Sequence, residues 1–277
     1  MGSNIKTSAS LALQMDSGFS PFPAKVFNKG LQWAQALGFD GVELIIQHPN
    51  EVNADELMKT LERCHLLVST IATGQMMGEG LIFCSDNSEI RNAAVKRIYD
   101  HIDLSSKLGL PNVTIGLARG KGSPEVPVKS RQRTFIAECV KRCAEYARCK
   151  NVRINLEPIN RYETCLFNSV EDTASLIEEL GVMPTVGILY DTFHSNIEDT
   201  DMLQTIAKYG GNFSHVHFAD SNRMVPGYGH IDYTAVISEL EKVNYRGFVS
   251  LECLNIPDAE FVKSHAGALN SFARNNH

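Results

Sequence analysis

Short apolar runs rich in β-branched residues alternate along this chain with longer stretches whose apolar positions recur at helical spacing. The short runs predict strands over Ser8–Gln14, Gly41–Ile46, Leu66–Thr73, Asn112–Ala118, Arg153–Pro158, Val186–Asp191, Phe213–Ala219 and Gly247–Leu254. The amphipathic stretches predict helices over 24–37, 53–64, 88–108, 128–148, 169–180, 199–209, 232–243 and 258–273. Turn residues mark the helix-to-strand joints, as in Gly38-Phe39-Asp40-Gly41, Gly109-Leu110-Pro111 and Asn244-Tyr245-Arg246-Gly247. Eight strands, each followed by a helix, define the α/β pattern of a (β/α)8 TIM barrel, whose parallel strands are joined by right-handed crossovers. No GxGxxG follows the first strand, which makes a dinucleotide-binding doubly wound sheet the weaker choice. No linker or low-complexity tract interrupts the chain, so residues 1–277 read as a single barrel domain.

In such a barrel, chemistry sits at the C-terminal ends of the strands. The last four strands end in polar groups: Glu157, Asp191, His217 and Glu252. Their separations of 34, 26 and 35 residues are each about one βα unit. Neighbouring strands lie roughly 4.8 Å apart, so four such side chains can converge on one ion. Three carboxylates and one imidazole suit a single divalent cation, Mn²⁺, Mg²⁺ or Co²⁺, with Zn²⁺ less favoured. A lone carboxylate at a strand end equally serves as a helix cap, and a lone histidine is commonly a satisfied core residue. Four in register argue for a metal. Alternation places Asn155, His215 and Ser250 on the same inward face one step below. Glu163, His194 and Arg223 fall in the loops over the mouth, where they could meet substrate hydroxyls or stand as solvated charges.

Composition narrows the function further. The 277 residues carry a formal charge of −6 with a pI near 5.9, which argues against a nucleic-acid partner bound through its phosphates. No run of 18 apolar residues suggests a membrane segment. Seven scattered cysteines with no CxxC pair fit a reduced, cytoplasmic protein.

The segments Leu156–Thr164, Asp191–Glu198, His215–Arg223 and Pro226–Asp232 resemble the D-tagatose/D-psicose 3-epimerase group of the xylose-isomerase-like TIM barrels. The resemblance implies that Glu157, Asp191, His217 and Glu252 are metal ligands, with Glu157 and Glu252 also moving protons. It places Glu163, His194 and Arg223 on substrate. Ala72–Leu81 and Ile115–Lys121 are similar to the branch that includes 5-keto-L-gluconate epimerase, although Met76, Met77 and Cys84 depart from it. That narrower likeness implies that Arg119 and Lys121, after the fourth strand, grip a substrate carboxylate. The expected activity is a metal-dependent epimerase of a ketose or keto sugar acid, working through an enediolate as a homodimer or homotetramer. Three alternatives stand beside it: an aldose–ketose isomerase using the same enediolate, an endonuclease IV-like repair enzyme, and a non-catalytic sugar-binding protein. The endonuclease reading lacks the histidines it needs on the first four strands.

Overall fold

A computed structural model describes residues 5–109 and 112–274 of the chain. Eight parallel strands close into a barrel in sequential order, β1 pairing with both β2 and β8. They are β1 (Lys6–Ala12), β2 (Gly41–Ile45), β3 (Leu67–Ala72), β4 (Asn112–Ile115), β5 (Ile154–Leu156), β6 (Val186–Asp191), β7 (Phe213–Phe218) and β8 (Phe248–Leu251). All eight predicted strands form, and the larger differences are in where they stop. β4 ends three residues early because Gly116, at φ −106° and ψ −108°, turns the chain into a 3-10 turn over Leu117–Arg119. Leu110 and Pro111, in one predicted joint, lie outside the described residues.

Helices separate the strands, and polar side chains open several of them. Asn53, Asn87, Ser169, Asp201, Asp232 and Asp258 each accept a backbone N–H of the first turn. Two helical features depart from the sequence pattern. A short helix, Thr192–Glu198, follows β6 directly where a loop was expected. The predicted last helix divides into Ala259–His265 and Ala268–Arg274, interrupted at Ala266–Gly267. Among the described residues no helix is long and apolar enough to cross a membrane.

The strands' outward faces carry the apolar core. Val42, Leu44, Ile71, Val113, Ile154, Ile188, Val216 and Val249 are all fully buried. Their inward faces instead build a polar layer held by hydrogen bonds. Ser8 and Ser250 hydroxyls meet at 2.5 Å, and Ser250 Oγ lies 2.9 Å from His215 Nε2. Asn155 Nδ2 donates to the Thr70 and Thr114 hydroxyls at 3.1 and 3.0 Å. A hydrogen-bonded polar layer fixes side-chain directions where an apolar one would leave rotamers free. It forms the floor of the cavity above.

Candidate metal centre

Glu157, Asp191, His217 and Glu252 converge at the C-terminal mouth of the barrel, one ligand atom of each lying within 4.8 Å of the others. Asp191 ends β6, and His217 lies one residue from the end of β7. Glu157 and Glu252 stand just past their strands, yet ladder geometry still holds them. The Glu157 N–H donates to Ile115 and the Glu252 N–H to Phe218, both at 3.2 Å. His217 Nδ1 is central: 3.6 Å from Glu157 Oε1, 3.6 Å from Asp191 Oδ2 and 3.4 Å from Glu252 Oε2.

This donor set fits a divalent cation on its own geometry. Asp191 Oδ2, His217 Nδ1 and Glu252 Oε2 are buried, aim at one point, and have no hydrogen-bond partner. Buried polar atoms are otherwise almost always satisfied. Two carboxylates about 4 Å apart repel by roughly 4 kcal/mol at an effective dielectric of about 20, so three together need a positive charge between them. The opposite atoms of Asp191 and His217 are spoken for. Asp191 Oδ1 accepts the His194 N–H at 2.9 Å and so caps the Thr192–Glu198 helix. The cap reading of a strand-end carboxylate holds here through Oδ1, and Oδ2 is left facing the cluster.

Sequence reasoning missed Glu43, which lies on β2 in the barrel interior with no exposure. Its Oε2 is 2.9 Å from His217 Nε2 and 3.3 Å from His215 Nε2. A carboxylate on Nε2 leaves Nδ1 as the ligating nitrogen and turns the ring toward the carboxylates. The signal was present, since Glu43 is the one charge within the apolar run Gly41–Ile46.

The charges interlock. Burial would raise the Glu43 carboxyl, but the charge of His217 and the hydrogen bonds from both histidines hold it well below the usual range. Asp191 is likewise held low, burial being overridden by His194, His217 and Arg223. Burial disfavours the charged form of His217, yet Glu43, Glu252, Asp191 and Glu157 together push it well above the ordinary imidazole value. Glu252 is pushed up by burial and by Glu157, against His217 and Arg223.

A cavity of about 230 Å³ opens over this cluster and is lined by Glu157, Glu163, His194, His217, Arg223 and Glu252, among others. Arg223 Nη1 bonds Glu163 Oε1 at 2.6 Å, and Nη2 lies 3.6 Å from Glu252 Oε2. Phe19 and Phe193 each lie under 5 Å from the guanidinium carbon, which confines it. His194 Nδ1 takes a 2.7 Å hydrogen bond from Asn160 Nδ2, so the Nε2 edge faces Glu157 Oε1 at 3.9 Å. The three loop residues expected over the mouth therefore border the same cavity as the four strand-end groups. Gly116 is required there: a Cβ would stand 2.3 Å from Glu157 Oε2.

Arg119 and Lys121 require correction, since neither reaches the cavity. Arg119 is fully buried and spends its guanidinium on backbone carbonyls, those of Glu157 and, at 3.2 Å, Phe167. The 3-10 turn after Gly116 swings it beneath the β5 loop, and burial brings its value down to about 10. It braces the Glu157 backbone. Lys121 is exposed beside a separate surface hollow with Met77, Cys84 and Gln132.

The chain belongs to the xylose isomerase-like TIM barrel family, whose model matches residues 31–271. Within that family it is 30% identical to D-psicose 3-epimerase of Enterocloster bolteae over 82% of this chain and 76% of that one. It is 26% identical to 3-dehydro-D-guloside 4-epimerase of Escherichia coli over 83% of this chain and 88% of the relative. The crystal structure of D-allulose 3-epimerase from Methylomonas sp. in complex with D-allulose superposes with a TM-score of 0.82 at 20% identity. That superposition covers 99% of this chain and 98% of the other.

Proposed function

We propose that this protein is a divalent-metal-dependent epimerase of a ketose or keto sugar, inverting the carbon next to the carbonyl. The observation that carries the reading is the set of three unpartnered buried ligand atoms on Asp191, His217 and Glu252, beside Glu157 and at the floor of a sugar-sized cavity. The relatives' names support it: a 3-epimerase of a 2-ketose and a 4-epimerase of a 3-keto sugar both invert a centre adjacent to a ketone. Such a C–H is acidic enough to exchange only when the neighbouring oxygen's developing charge is stabilised. A divalent cation held by Glu157, Asp191, His217 and Glu252 supplies that stabilisation as a Lewis acid.

The side chains divide the remaining work. Glu157 and Glu252 follow β5 and β8, which are not neighbours and stand at the two ends of the run of strands that carries the cluster. One removes the proton from one face of the sugar and the other returns a proton to the opposite face, which inverts the centre. His194, with its Nε2 edge toward Glu157, and Arg223, next to Glu252, orient substrate oxygens. Glu163, fixed by Arg223 and Asn160, accepts a sugar hydroxyl.

The test is a panel of free ketoses, ketose phosphates and keto sugar acids, followed by NMR in D₂O with metal-free and Mn²⁺-loaded protein. The expected result is an epimer carrying deuterium only at the inverted centre and only with metal. Loaded protein that neither epimerises nor exchanges any member of the panel overturns the reading.

A further inference from the structure

The four ligand strands, β5 to β8, make one side of the barrel mouth, and β1 to β4 make the other. A substrate held near the ligands therefore extends its remaining carbons toward the β1–β4 side. Two positions there expected to be cationic, Arg119 and Lys121, do not reach the cavity. What does line it is mostly apolar or internally bonded. Ile45, Ala72 and Leu117 present hydrocarbon. Thr73 Oγ1 is committed to the Thr114 carbonyl at 2.7 Å. Among the described residues that line this cavity, neither lysine nor any arginine but Arg223 occurs.

Two lining residues on that side keep a buried acceptor without a partner: Glu43 Oε1, on β2 within the barrel beneath the ligands, and Gln75 Oε1, past the end of β3. Gln75 follows β3, across the barrel from β7, and is one of the residues that line the cavity. Nε2 donates to the Met15 carbonyl of the β1 loop at 3.3 Å, which ties the two loops together and fixes the amide's direction. Oε1 is buried and has no partner. A buried amide oxygen is normally satisfied by a donor. The preceding Gly74 leaves open space beside it, with nothing within 4 Å of where a Cβ would stand.

We infer that Gln75 Oε1 accepts a hydrogen bond from the terminal hydroxyl of the substrate, making this far end selective for a neutral, hydroxylated sugar over one that ends in carboxylate or phosphate. The inference rests on the proposed epimerase reading and adds to it the group at the far end of the substrate. An amide oxygen attracts an O–H donor and repels an anionic oxygen, and Arg223, after β7 on the opposite side of the barrel, is paired with Glu163 and lies beside Glu252.

The experiment compares Mn²⁺-loaded wild type, Gln75→Leu and Gln75→Lys on three substrates. These are whichever of D-fructose, D-psicose and D-tagatose the wild type epimerises, the same ketose lacking its terminal hydroxyl, and a six-carbon keto sugar acid. Wild type should prefer the full ketose to the deoxy analogue by about three- to tenfold in kcat/KM, the range of one neutral hydrogen bond. In Gln75→Leu that preference should fall to near unity, while the metal-induced rise in Tm stays as in wild type. Gln75→Lys should move the ratio of keto acid to ketose upward by roughly tenfold or more, through a charge-assisted contact. Undiminished discrimination in Gln75→Leu overturns the inference, as does an unchanged acid-to-ketose ratio in Gln75→Lys. Failure of the wild type on all three ketoses with activity on a ketose phosphate or keto sugar acid overturns this inference and leaves the epimerase reading standing, whereas failure on the whole panel removes the epimerase reading and this inference with it.

Discussion

Glu43 is fully buried and Glu252 only partly, they face opposite edges of the His217 ring, and their substitution should separate a direct role in turnover from one exerted through His217. Glu252 lies 3.4 Å from Nδ1 and lines the cavity, so it can touch a substrate carbon. Glu252→Gln keeps the volume and removes the proton carrier. Turnover should fall on the order of a thousandfold, within the range for a positioned acid or base, and deuterium exchange should fall with it. Full activity with normal exchange would sink the assignment. Glu43, on Nε2, works through His217. Glu43→Gln should weaken metal binding by about ten- to a hundredfold and leave much of kcat recoverable at saturating Mn²⁺. Calorimetric titration and activity against metal concentration check this, and an unchanged affinity would deny Glu43 that role. The four strand-end groups that converge were legible in the sequence because strand-end position and βα spacing are one-dimensional features. Glu43 was hidden by its strand: an acidic residue inside an apolar run reads as an outward-facing exception until alternation and closure turn it inward. Gln75 was invisible for a different reason, since an amide in a loop has no periodicity to mark it.

At the scale of single elements, Asp191 joins two requirements that the sequence pattern treats as alternatives. Its Oδ1 starts the Thr192–Glu198 helix and its Oδ2 points at the metal position. Asp191→Asn keeps an acceptor for the cap and loses the ligating charge, whereas Asp191→Ala loses both. Metal binding should therefore fall in both variants, with the metal-free alanine form less stable than the asparagine form by about 1 kcal/mol, the usual worth of an N-cap. Equal denaturant midpoints for the two would show that the cap contributes nothing there. The fold's other elements were legible to different degrees. Strands were found because both faces of a parallel barrel strand are buried and leave a compact apolar signature, as β6 does along its whole length. The Thr192–Glu198 helix was missed because seven residues cannot show a period, and its start depends on a cap that also ends a strand. Arg119 was misplaced because the strand pattern ran on past Ile115, where Gly116 in fact breaks it.

Across the whole molecule, the charges of the barrel mouth couple stability, metal and pH. Without metal, His217 sits in a ring of Glu43, Glu157, Asp191 and Glu252 and is held protonated above its ordinary range. A histidine raised on folding contributes stability that is fully present below its unfolded value, about 6.5, and is lost as pH rises through the folded value. Glu252, raised by burial, follows the same direction: its neutral form is favoured in the fold, and its ionisation at higher pH weakens the metal-free protein. A cation takes the place of both protons, since ligation needs the His217 Nδ1 lone pair and an ionised Glu252. Metal binding should therefore release protons. The Mn²⁺ affinity, and the rise in Tm that Mn²⁺ produces, should both be larger at pH 8 than at pH 6, and chelation at pH 8 should lower Tm more than chelation at pH 6. Calorimetric titrations in buffers of differing ionisation enthalpy measure the protons released, and differential scanning fluorimetry at the two pH values measures the shift. His217→Gln removes the titrating ligand, so the pH dependence of the metal effect should flatten in that variant. A metal effect equal at both pH values in the wild type would mean that His217 and Glu252 do not exchange protons for the ion.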